Sequence, residues 1–145
     1  MRRLLVIAAG VIVFLAIAVV LARWLSAENV ERDHVVDLLD AQARGDAHAM
    51  LEEIDGCTAR PACVGTVRAN ARNLRDAGKV DIIAYDSGTS HALGATTAPT
   101  RVVWKTPSRL PTVQCVEIRR TGNVLSGPSV TVTGLSEPIE REGAC

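Results

Sequence analysis

The chain has 145 residues, is 48% hydrophobic and carries 16 basic and 16 acidic side chains, for a formal net charge of zero. The balance excludes a general nucleic-acid binder, which needs a basic face. With 3% aromatic residues there is little to stack on bases or sugars.

Leu4 to Ala22 is a run of nineteen uncharged residues, thirteen of them Leu, Ile, Val or Phe. As a helix it is about 28 Å long, the thickness of a bilayer's hydrocarbon core. Those thirteen favour insertion by roughly 4–8 kcal/mol. Arg2 and Arg3 precede the run and only Arg23 follows closely, so the positive-inside bias holds the N-terminus in the cytoplasm and carries the rest across. Trp24 stands where an interfacial aromatic belongs. The expectation is a transmembrane signal anchor over 1–25 and an extracytoplasmic domain over 26–145. The protein would then be a single-pass protein of the cell membrane, with the lipid bilayer as its first partner. The alternative is a cleaved signal peptide and secretion, since Ala16-Ile17-Ala18 and Val20-Leu21-Ala22 have cleavage-site spacing. Against it, the apolar run continues past the first site and exceeds the roughly 7–15 residues usual for a signal core.

Beyond Ala22 the charge is 14 basic minus 16 acidic, or −2. Ser26 or Asn29 can cap a helix running to about Ala43, with Val35, Leu38, Leu39 and Gln42 inside and Glu31, Arg32 and Asp40 outside. Gly45 and Asp46 read as a stop and a restart. Ala47, Met50, Leu51 and Ile54 then make a short amphipathic helix. Pro61 opens a third helix with Val64, Val67, Ala71 and Leu74 on one face and Arg68, Arg72 and Arg75 opposite, ending by Gly78.

From Lys79 the period changes to two. Strands are expected at Val80–Tyr85, Arg101–Lys105, Val113–Arg120 and Val130–Thr133. Gly88 to Pro99 reads as a loop with a short strand near His91. Thr121-Gly122-Asn123 reads as a reversal, and Ser126-Gly127-Pro128 as a kink. Helices followed by antiparallel strands make an α+β domain: three helices on a curved antiparallel sheet of about four strands.

Cys57, Cys63, Cys115 and Cys145 all lie beyond the anchor. Four cysteines in an oxidising compartment favour disulfides, and three pairings are possible. Cys57 with Cys63 is the local one, leaving Cys115 for Cys145. These closures would stabilise by roughly 2 and 3.5 kcal/mol. A C-x5-C pair matches neither zinc nor redox spacing, so no metal is expected.

The order of three helices and a strand meander, with the Ala43-Arg44-Gly45-Asp46-Ala47 junction between the first two helices, resembles the nuclear-transport-factor-like or cystatin-like cone fold. Ketosteroid-isomerase-type enzymes share that fold. The resemblance spans about Asn29 to Ser136 and is nearest to membrane-anchored bacterial members, some of which accompany lipid-import systems of the mammalian-cell-entry type. It implies a fold rather than a reaction.

In cone-fold enzymes a carboxylate and a Tyr or second acid line the sheet's concavity. The corresponding pocket candidates here are Tyr85, Trp104 and Glu117. Tyr85 and Asp86 are neighbours on a strand and point to opposite faces; the bland reading of Tyr85 is a packed ring with a wet hydroxyl. Glu117 is ambiguous in direction, with exposure favoured. His34 and Asp37 share a helix face but lack a predictable third ligand. The Arg68, Arg72, Arg75 row could hold an anionic lipid or a peptide carboxylate, or be a solvated face. No nucleophile elbow, phosphate loop, zincin or EF-hand pattern is present.

No catalytic constellation and no cofactor motif emerges. The expected function is a non-enzymatic, membrane-anchored binding or scaffold protein with an envelope protein partner or a hydrophobic ligand. Two alternatives stand beside it: a cone-fold enzyme acting on a small apolar substrate, and an envelope assembly or lipid-import accessory factor. A hollow cone would favour the enzyme; one filled by Val, Ile and Trp104 would not.

Overall fold

The computed structural model describes residues 2–90, 95–123 and 127–145, with side chains described for 6–22, 29–90, 95–122 and 129–145. The expected short strand near His91 and the side chains of Trp24 and Ser26 lie outside the described residues.

The first helix, α1, runs without a break over Arg2–Arg44. The N-terminal cap expected at Ser26 or Asn29 is therefore not used. A cap residue starts a helix only where the chain before it leaves helical geometry. Residues 23–29 contain neither Gly nor Pro, so nothing forces that departure. Among the described residues no helix is long and apolar enough to cross a membrane; side chains in the apolar run are described from Val6 onward, so Leu4 and Leu5 lie outside that statement.

The stop at Gly45 is a Schellman motif. Gly45 takes φ +75°, its N–H bonds the Gln42 carbonyl at 2.9 Å, and the Asp46 N–H bonds the Ala41 carbonyl at 2.9 Å. Asp46 caps α2 (Ala47–Glu53), accepting from the Ala49 N–H at 3.0 Å. On α2, Met50 and the following Ile54 are buried, while Leu51 is half-buried against the core. A 3-10 turn at Cys57–Ala59 leads into α3 (Pro61–Asn73), which buries Val67, Asn70 and Ala71. Leu74, just past its end, is also buried, while the Arg68, Arg72 and Arg75 row faces out.

The strands β1 (Asp81–Asp86), β2 (Thr96–Lys105), β3 (Thr112–Asn123) and β4 (Gly127–Leu135) form one antiparallel meander in the order β1-β2-β3-β4. The chain is thus an α+β fold with helices ahead of a four-stranded antiparallel sheet.

β2 begins five residues before the expected Arg101. Pro99 did not prevent this, because in the described pairing β1 reaches only as far as Arg101. Pro99 therefore sits where β2 has a neighbour on one side alone, the position a missing N–H tolerates. The reversal read at Thr121-Gly122-Asn123 belongs to β3, which pairs Asn123 with Gly127 at the start of β4.

The domain half of α1 covers one face of the sheet. Val35, Leu38 and Leu39 of α1 share the core with Val102, Trp104, Val116, Ile118 and Val132. The opposite face is crossed by the C-terminal segment, pinned by the Ile139 N–H on the Val113 carbonyl at 2.8 Å and by the Cys115–Cys145 disulfide. The Arg101 guanidinium also donates to the carbonyls of Gly143 and Arg141. The other disulfide joins Cys57 and Cys63, and no cysteine is free.

Candidate functional site

The domain half of α1 points four residues at the sheet: Glu31, Val35, Leu38 and Gln42, spaced by four, three and four. All four are fully buried. Two are polar, and each organises a hydrogen-bonded network with the sheet.

Glu31 was expected on the outer face. Instead it is 0% exposed. Its Oε1 accepts from the Tyr85 hydroxyl at 2.8 Å and the Thr100 hydroxyl at 2.9 Å. Its Oε2 accepts from the Thr89 hydroxyl at 2.6 Å and from Arg120 Nη2 at 3.3 Å. A carboxylate has about four lone-pair positions, so these four donors satisfy it. Arg120 is itself buried and donates through Nη1 to the Thr89 carbonyl at 3.2 Å, while its Nε finds no partner among the described residues. Burial pushes the Glu31 carboxyl up, but hydrogen bonds from Thr89, Tyr85, Ser87 and Thr100 outweigh it and hold the group below its ordinary value. Glu31 is therefore an ionised, saturated carboxylate.

The second network is neutral. Gln114 Oε1 accepts from Trp104 Nε1 at 2.8 Å and from Gln42 Nε2 at 2.9 Å. Gln114 Nε2 donates to Gln42 Oε1 at 3.3 Å and to the Ser136 carbonyl at 3.0 Å. Asn70 Nδ2 reaches the same Ser136 carbonyl at 2.9 Å, tying α3 to the network.

These networks place the pocket candidates. Trp104 is 0% exposed and is packed in the core between the sheet and α1. Tyr85 is half-buried, and its hydroxyl is not left to water but serves Glu31. Glu117 is exposed, on the sheet face opposite Trp104, with its side chain over Gly134. The three are thus not brought together. Tyr85 does meet a carboxylate, but that of Glu31, fifty-four positions away in sequence. The 4-3-4 spacing through Val35, Leu38 and Gln42 is the signal that would have identified Glu31.

His34 Nδ1 lies 3.6 Å from Glu53 rather than pairing with Asp37. Among the described residues no three His, Cys, Asp or Glu side chains converge as a metal site. Asp40, expected outside, is half-buried and accepts from the Val80 N–H at 3.2 Å. Between α1 and the start of β1 lies a groove of about 340 Å³ lined by Arg32, Val36, Lys79, Val80, Asp81 and Ile82.

The other half of α1 is built differently. Val11, Ile12, Val13, Phe14 and Leu15 are consecutive, so they point in every direction around the helix. Each is at least 51% exposed, Phe14 reaching 70%. Comparison with family models, curated proteins and solved structures finds no match to this chain.

Proposed function

We propose that this chain is a single-pass, membrane-anchored protein whose extracytoplasmic domain is a non-enzymatic binding or scaffold module held beside the bilayer. The carrying observation is the half of α1 that exposes Val, Ile, Leu and Phe on all sides. A helix apolar all round needs an apolar surrounding, which is either a large core or lipid. The domain's own core takes Val35, Leu38 and Leu39 from the other half of the helix. Two disulfides favour an oxidising compartment for the domain. The unbroken helix would transmit the anchor's orientation directly to the domain, because the buried stripe of Glu31, Val35, Leu38 and Gln42 lies on the same rod.

The cone-fold resemblance belongs to this reading as an architecture, with an envelope protein or a hydrophobic ligand as partner. A role as an assembly or lipid-import accessory factor rests on that resemblance alone. The cone-fold enzyme has one observation in its favour, the meeting of Glu31 with Tyr85. The four donors already on Glu31 and the burial of Trp104 in the core argue against it.

A reporter fused after Cys145 tests the reading. Activity of a periplasm-dependent reporter with silence of a cytoplasm-dependent one is expected; the reverse pattern would refute the orientation.

A further inference from the structure

The groove between α1 and β1 has an order along the helix. Glu31 meets Tyr85 near the end of β1, and Asp40 meets the Val80 N–H just before its start. β1 therefore runs antiparallel to α1. Arg32 marks the groove's end nearest the apolar half of the helix, Val36 and Ile82 its middle, and Val80 and Lys79 its far end. Val80 is buried, Val36 and Ile82 are half-buried, and together they make an apolar floor.

Arg32 and Lys79 are exposed cations, and neither is in an ion pair among the described residues. The one carboxylate in the lining, Asp81, lies 3.8 Å from Lys105 Nζ, which offsets its charge. Two unpaired cations over an apolar floor match an amphiphile with an anionic head. A volume of about 340 Å³ is at the low end of ligand sites. It admits a headgroup and the nearest part of an acyl chain, not two whole chains.

The place of the groove names the source. Arg32 is ten residues beyond Ala22, about 15 Å along the helix, whereas the polar layer of a bilayer leaflet is roughly 5–7 Å deep. The Cα–Cβ bonds of a helix tilt toward its N-terminus, so the long Arg32 side chain reaches back toward that layer. We propose that the groove binds an anionic phospholipid of the anchoring bilayer, its phosphate at Arg32 on the end nearest the membrane, its adjoining apolar part along Val36, Ile82 and Val80, and Lys79 adding positive potential from the far end. The proposal rests on the anchor reading and adds the ligand and its site.

Full-length protein in nanodiscs of phosphatidylcholine, with and without phosphatidylglycerol, tests it. The readout is the phosphatidylglycerol retained per protein by native mass spectrometry. Retention is expected for the wild type, with about a fivefold loss for R32Q and a smaller loss for K79Q. V36T, which changes no charge, should also weaken retention. R68Q/R72Q, which removes the same charge from α3, should not. Equal loss in R68Q/R72Q, or no loss in R32Q/K79Q, would overturn the site. Displacement by millimolar inorganic phosphate would show a plain anion site and overturn the lipid assignment. Failure of the protein to enter nanodiscs at all would instead defeat the anchor, and the lipid site with it.

Discussion

The two halves of α1 obey opposite rules. Toward the N-terminus, apolar side chains cover every side and remain exposed, Phe14 at 70%. Toward Arg44 the helix is two-faced, and its buried stripe has a polar residue at each end and apolar ones between: Glu31, Val35, Leu38, Gln42. In the proposed anchor reading the first half meets lipid and needs no pattern, because its surroundings are uniform. A helix that meets a sheet must match particular partners at each turn, and here the outer turns of the stripe are matched by hydrogen bonds and the middle turns by packing.

Aspartate substitutions break the contrast most sharply. Leu38→Asp puts an unpaired charge at the centre of the core and should abolish folding of the domain, a loss of more than about 4 kcal/mol. Val13→Asp should leave the domain's near-UV circular dichroism and melting unchanged and weaken membrane retention instead. If both variants unfold, or neither does, the halves do not differ as argued.

Within the buried stripe, the charged and neutral networks should differ in size of effect. Glu31→Ala strands Arg120 without its carboxylate and should cost about 3–5 kcal/mol in urea unfolding. Gln114→Ala leaves Trp104 Nε1 and Gln42 without partners and should cost about 1–3 kcal/mol. A smaller loss for Glu31→Ala than for Gln114→Ala would mean that water or another group supports Arg120.

Acid separates the two networks more gently. The Glu31 carboxyl is held below its ordinary value in the folded state. Its contribution is therefore complete above the unfolded carboxylate value, about pH 4.3, and is lost as pH falls through the lower folded value. Asp76 is also lowered, by hydrogen bonds from Thr106 and Ser108 and by Arg109 against some burial, and adds in the same direction. Unfolding measured from neutral pH down to about pH 3 should show stability falling below that point. Glu31→Gln, where it folds, should flatten the fall, and Gln114→Ala should keep it. An unchanged profile in Glu31→Gln would mean that Glu31 is protonated in the folded protein.

Much of this was readable from residues. The inner stripe at Val35, Leu38, Leu39 and Gln42, the Gly45–Asp46 break, Pro61 at the start of α3 and the four strands all follow from period and punctuation. Four features were not, for physical reasons. Glu31 was placed outside because a charge is rarely buried, and its partners Tyr85, Thr89, Thr100 and Arg120 come from distant segments that no local pattern links. The break expected before Asn29 failed because capping residues inside a helical stretch do not by themselves interrupt it. The early start of β2 was hidden by Pro99, whose tolerance depends on how far β1 extends alongside. The groove at Arg32 and Lys79 likewise joins two segments that only the fold brings together.

The most direct test of the anchored-domain account is carbonate extraction of membranes from cells producing the full chain, followed by protease added to intact spheroplasts. The account predicts that the protein stays in the alkaline pellet and that external protease digests the domain. Recovery of full-length chain in the supernatant, or a domain protected until the membrane is lysed, would contradict it.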